Sequence, residues 1–101
     1  MTGLIELLEE AIGFLERYQE RVWSKRLRHC SDLIGQGDVS GLEKLLQSFG
    51  GWGTLNDLVL CPENNHVISE ADTASANTKL EEYRRGIYRL ASDLRRDSWK
   101  R

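Results

Sequence analysis

The chain has two cysteines, Cys30 and Cys61, too few for a disulfide framework. No apolar run exceeds about four residues, far short of the stretch that a membrane-spanning helix needs. Its first residues, Met1-Thr2-Gly3-Leu4, place no basic region before an apolar stretch and lead into Glu6, Glu9 and Glu10. That start predicts no secretory signal. There is no internal repeat and no low-complexity tract. Together these absences predict a cytoplasmic protein with reduced thiols and no membrane partner. Net charge is also small, −2 over 101 residues. A sequence pI near 5.7 argues against the basic footprint of a nucleic-acid-binding domain.

With 40% apolar and 30% charged residues, the composition is that of a soluble globular chain. Its length suits one domain, residues 1–101, with a modest core. Charge is unevenly spread. Residues 1–28 balance five acids against five bases; residues 29–78 hold seven acids and one base, Lys44. Residues 79–101 hold eight bases and four acids. An acidic middle joined to a basic end invites a partner protein or a self-complementary homodimer.

Leu4, Leu8, Ala11, Leu15, Tyr18, Val22, Leu27, Cys30, Leu33 and Ile34 recur every three to five residues. That spacing predicts one long amphipathic helix over about 3–34, with Ile5, Ile12 and Trp23 widening the stripe. Such a width is more than one seam covers and points to self-association. Gly13 marks a kink or a close helix contact, and Gly35-Gln36-Gly37 ends the helix. Ser40 and Glu43 have capping-box spacing, so a short helix follows over about 40–49, burying Leu42, Leu45, Leu46 and Phe49. Leu58-Val59-Leu60 and His66-Val67-Ile68 are β-prone runs around Cys61-Pro62-Glu63-Asn64-Asn65. They predict a small β-hairpin or irregular insert within a junction and loop spanning 50–76. The stripe Leu80, Tyr83, Ile87, Leu90, Ala91, Leu94 predicts a last helix over about 77–96, capped near Asp72, Ser75 or Asn77. The expected fold is mainly α, two long helices and one short, with that insert before the last.

The most specific segment is Gly50-Gly51-Trp52-Gly53-Thr54-Leu55-Asn56-Asp57. Gly50, Gly51 and Gly53 set a structural junction, since glycine serves where the chain takes positive φ or passes close to another group. Trp52 reads as an anchor pinned in the core or a ring presented for recognition. Asn56 and Asp57 either bond to neighbouring backbone groups or form an exposed edge with Trp52. No Lys-Ser/Thr follows the glycines, so they do not make a phosphate cradle. Cys30, Cys61, His29 and His66 are the only soft metal ligands. His29 and Cys30 are neighbours on a helix, pointing about 100° apart, so a closed zinc site is not expected. They read instead as a buried cysteine and two surface histidines. Cys61, His66 and Asp57 have the residue types of a cysteine nucleophile set, but not its alignment. No catalytic residue, metal or cofactor is therefore assigned. Arg84, Arg85, Arg89, Arg95 and Arg96 are interrupted by Glu81, Glu82, Asp93 and Asp97, as on a solvated helix.

The run Gly-Gly-Trp-Gly-Thr-Leu-Asn-Asp-Leu-Val-Leu at 50–60 precedes a helix with Leu80, Arg84, Tyr88 and Leu90. This resembles a family of small uncharacterised bacterial and phage proteins sharing a Gly-Gly-Met/Trp-Gly-Ser/Thr-aliphatic-Asn-Asp segment between helices. The resemblance implies a stand-alone protein with an accessory or immunity role and attaches no activity or cofactor. The reading is a non-enzymatic, cytoplasmic, helical module that binds another protein, such as a basic toxin. Its expected surface is Asp57, Glu63, Glu70 and Asp72 around Trp52 and Asn56. The alternatives are a nucleic-acid-associated factor using the last helix, then a small-molecule binder or enzyme at the glycine junction.

Overall fold

Helix α1 (Thr2–Arg17) ends where the sequence pattern runs on. Gln19 takes a left-handed backbone, φ +60°. The Gln19 and Glu20 amides donate back to the Glu16 and Leu15 carbonyls at 3.0 and 2.9 Å. That is a Schellman stop with glutamine in the position glycine usually fills. Glu20 then caps α2 (Arg21–Gly35), its Oε2 accepting from the Trp23 amide at 2.8 Å. The helix expected over 3–34 is therefore two helices. An L-residue in this conformation is strained by roughly 1 kcal/mol, and Gln19 is exposed. Gln19→Gly should raise the urea midpoint, by up to about 1 kcal/mol of stability. A lower midpoint would mean that the glutamine side chain itself supports the turn.

The structure, a computed structural model, describes residues 2–49 and 54–99. Beyond α1 and α2 it contains α3 (Ser40–Gln47), 3-10 turns at Leu55–Asp57 and Pro62–Asn64, and α4 (Glu70–Trp99). α1 and α2 form an antiparallel hairpin. Arg28 meets Glu16 at 2.6 Å near the turn, and Gly35 lies beside Ile5 at the open end. Leu4, Leu8, Ala11, Ile12 and Leu15 of α1 face Trp23, Leu27, Cys30 and Ile34 in one core. Val22 is 57% exposed, whereas Trp23 is 8% exposed. Ile12 and Trp23, part of the surplus that suggested a homodimer, are thus buried within the chain.

α2 ends as expected, with Gly37 at φ +78° and the Asp38 amide bonded to the Leu33 carbonyl. Gly41 lets α3 lie directly on α2, since a Cβ there would meet Leu33 Cβ at 2.8 Å and the Cys30 carbonyl at 3.0 Å. Gly13 does not have such a role: α1 passes through it unbroken, and a Cβ there would meet nothing within 4 Å.

α4 is the spine. Thirty residues make a rod of about 45 Å, matching the 48 Å long axis of a molecule 22 by 21 Å across. It starts at Glu70 rather than near 77. Ser69 Oγ accepts from the Asp72 amide at 3.2 Å and donates to the Asp72 carboxylate at 2.9 Å. Thr73, Ser75 and Thr78, poor helix formers, donate their hydroxyls back to carbonyls one turn earlier. On one side Phe14 of α1 packs on Tyr83. On the other, described residues on either side of the glycine segment meet α4 in antiparallel order. Glu43 meets Arg95 at 3.1 Å, Phe49 stacks edge-on against Tyr88, and Leu60 is bound by Asn77.

No strand occurs among the described residues, so the β-hairpin is not formed. Leu58 takes an extended backbone, but the backbone groups of residues 58–60 pair with side chains instead of a second strand. Leu58 O accepts from Arg84, Val59 O from Asn64, and both polar groups of Leu60 bind Asn77. Pro62 then opens a 3-10 turn that closes at Asn65, whose φ is +66°. Among the described residues no helix is long and apolar enough to cross a membrane.

Candidate functional site

The irregular segment between α3 and α4 carries most of the residues singled out by the sequence, and it is held from several sides. Where it leaves α3, the Leu55 amide donates to Ser48 O at 2.8 Å and Asn56 Nδ2 to Phe49 O at 2.6 Å. Arg84, 13% exposed at its side chain, reaches from α4 beneath the first 3-10 turn. Its Nη1 donates to the carbonyls of Leu55 at 3.1 Å and Leu58 at 2.9 Å. Glu81 fixes the other edge of the guanidinium at 2.7 Å. That hydrogen bond from Arg84 is the main reason the Glu81 carboxyl lies below its usual range, with Arg85 adding to it. Asn77 Oδ1 accepts from Leu60 N, and Nδ2 donates to Leu60 O, both at 2.8 Å.

At the far end the loop meets the α1–α2 connector. His66 is buried. Its Nδ1 accepts from the Cys61 amide at 3.1 Å, and its Nε2 lies 3.0 Å from Glu20 Oε1. An N–H pointing at Nδ1 places the ring's single proton on Nε2, as donor to Glu20. The Val67 amide donates to Tyr18 O beside this contact at 3.1 Å. His66 is therefore not the surface histidine expected. Both its nitrogens are engaged, and Cys61 Sγ points to Val59 O at 3.9 Å, so the pair is not arranged as nucleophile and base.

Asp57, in the first 3-10 turn, lines a shallow cleft of about 260 Å³ with Glu20, Trp23, Leu58, Asn64 and His66. Glu63, in the second turn, and Glu70, at the start of α4, are exposed and do not line that cleft. Asp72 is exposed too, but its carboxylate accepts from Ser69 in the cap of α4. Asn56 turns its amide inward, onto the end of α3. Trp52, Gly50, Gly51 and Gly53 lie outside the described residues. Glu20, Asn77 and Arg84 were not singled out as site residues, yet they hold the loop. Only Arg84 had a signal, its place beside the glycine segment in the family resemblance.

Most α4 arginines are occupied by this chain's own acids: Arg84 and Arg85 by Glu81, Arg95 by Glu43, Arg96 by Asp93. Among the described residues no group of three or more His, Cys, Asp or Glu could hold a metal ion. The thiols differ in environment. Burial pushes the Cys30 thiol above its ordinary value, with Lys44 pulling it down more weakly, whereas Cys61 is part-exposed. A thiol reagent should consume one equivalent quickly in the folded protein, at Cys61, and the second only on unfolding. The Cys30 contribution to stability is complete below the ordinary thiol range and is lost as pH climbs through it. Two fast equivalents at neutral pH would show that the core opens around α2.

The fold and loop define a helical protein whose irregular segment is clamped between a helix connector and a long C-terminal helix. Residues 16–69 match the DUF6966 family, described as a domain of unknown function, and the chain belongs to that family. The matched span runs from the end of α1 through the loop to Ser69. It includes Glu20 and His66 and leaves out Asn77 and Arg84. No curated protein and no solved structure matches the chain.

Proposed function

We propose that the chain is a non-enzymatic protein-binding module that offers its acidic loop to a basic partner protein, as an immunity or antitoxin-like protein would. The observation that carries this reading is the division of labour within the loop. Arg84, Asn77 and His66 fix its backbone from inside, and Asn56 ties it to the end of α3. Glu63 remains exposed on it, and Glu70 beside it at the start of α4. A surface already ordered loses little conformational freedom on binding. Its carboxylates would steer a cationic partner into contact. What sets the nucleic-acid alternative second is that Arg84 serves the fold and Arg85, Arg95 and Arg96 lie in surface pairs with this chain's own acids.

Affinity capture from the native host, followed by association kinetics with the captured protein, tests this. Glu63→Lys with Glu70→Lys should slow association about tenfold at low salt and flatten its salt dependence. Glu63 is exposed on the loop, so its change should leave stability nearly unchanged. The change at Glu70, in the first turn of α4, should cost about 0.3–1 kcal/mol through the helix dipole. Arg89→Glu should matter little. Capture of RNA or DNA that the arginine change abolishes would replace this reading with the nucleic-acid one.

A further inference from the structure

We propose that Glu20, His66 and the Cys61 amide form a proton-operated latch that closes the loop's second turn, residues 61–66, where His66 rests on the α1–α2 connector. The contact joins residues 46 apart in sequence, and the two side chains are only 2% and 12% exposed. The neutral ring uses both nitrogens: it accepts the Cys61 N–H at Nδ1 and donates to Glu20 from Nε2. A second proton must go to Nδ1, where it meets an N–H donor with nothing to accept it. The imidazolium therefore keeps Glu20 and releases the Cys61 amide, while the Cys61 carbonyl still accepts from the Asn64 and His66 amides at 3.1 and 3.3 Å.

The charged groups facing the ring are two carboxylates. Glu20 comes from the connector and Asp57 from the first 3-10 turn. α2 contributes Trp23 to the same cleft, with Arg26 over the indole ring at 4.9 Å, and α4 contributes no lining residue. The added charge has the Glu20 carboxylate 3.0 Å away, and what the ring loses is its bond to the Cys61 amide. Acidification should therefore loosen residues 61–65, including the Pro62–Asn64 turn that bears Glu63. The end at Val67 stays fixed through Tyr18 O. As regulation of partner binding, the latch rests on the proposed function, but its own operation is measurable on the isolated chain.

The full chain, labelled with nitrogen-15, is titrated by NMR from about pH 8 to about pH 5, the span in which histidines change charge. The Cys61 amide resonance should shift in step with the His66 ring. Its hydrogen exchange, corrected for pH, should speed up roughly fivefold or more, about the ratio one hydrogen bond represents. The Trp23 amide, bound to the other oxygen of Glu20, should stay in place. His66→Asn supplies an acceptor near Nδ1 that does not titrate, so its Cys61 amide should be indifferent to pH. His66→Gln reaches toward Glu20 but lacks that acceptor, so its Cys61 amide should look acid-like at every pH. A Cys61 amide that ignores the His66 titration in the unmodified chain overturns the latch, whatever the variants do. If the latch titrates as described and the captured partner is not basic, the latch stands and the functional reading fails.

Discussion

Arg84→Met should lower stability by about 2 kcal/mol at neutral pH, the part-buried Leu58 carbonyl losing its donor at about 1–3 kcal/mol. Methionine matches much of the apolar stem but carries no donor. The Leu58 carbonyl, which accepts from Nη1 at 2.9 Å, then loses that donor, while the Leu55 carbonyl loses Nη1 but keeps the Leu58 amide at 3.2 Å. Arg84→Lys should fall between, because an ammonium is a compact donor without the planar fork that serves Glu81 and two carbonyls together. The pH dependence carries a sign. Glu81 is held below its usual range chiefly by Arg84, so its contribution is present above the ordinary carboxylate range and fades as pH falls. The gap between wild type and Arg84→Met in urea melts should therefore narrow in acid. Equal midpoints at neutral pH would mean that the loop is held without Arg84.

The same residue shows where sequence patterns were and were not informative. Three apolar stripes are readable because helix faces repeat, and α3 begins at Ser40 without the expected capping box, its N-cap being Val39 with no side-chain cap bond. The break at Tyr18-Gln19-Glu20 was present as a phase error. A stripe through Leu15, Tyr18 and Val22 must step five residues to reach Leu27. One through Trp23, Leu27, Cys30 and Ile34 steps regularly, and this second set is buried. Taking Val22 as core and Trp23 as a margin concealed the change of face. No glycine or proline punctuates the turn, because Gln19 takes the left-handed position itself.

The insert failed for a different reason. Leu58 does take the extended backbone that β-propensity favours, but propensity says nothing about what answers the amides and carbonyls of residues 58–60. Here the answers are side chains: Arg84 and Asn77 seven residues apart on α4, and Asn64 in the loop. His66 had no readable signal. A single histidine between Asn65 and Val67 acquires its meaning only when the connector at Glu20 folds against it. The acidic surface was legible by composition alone, and the structure distinguishes Asp72, used in a helix cap, from Glu63 and Glu70, exposed on the surface.

Asn77→Asp is the sharpest test of a helix side chain standing in for a strand. The change keeps shape and keeps Oδ1, which accepts from the Leu60 amide at 2.8 Å. It replaces Nδ2, which donates to Leu60 O and Thr73 O at 2.8 Å each, with an oxygen. At neutral pH a carboxylate would then face two carbonyls, losing both bonds and adding repulsion, for an expected cost of about 3 kcal/mol. Leu60 is fully buried, so its carbonyl cannot simply turn to solvent. As pH falls through the carboxylate range the variant acid regains one O–H donor, so its deficit should shrink, opposite to a carboxylate in a native ion pair. Asn77→Leu, which offers neither donor nor acceptor, should be destabilised at every pH and should let the Leu60 amide exchange faster. Urea midpoints at neutral and acid pH separate the two. An aspartate variant as stable as wild type at neutral pH would show that the extended segment is held by its apolar contacts, with Asn77 incidental to it.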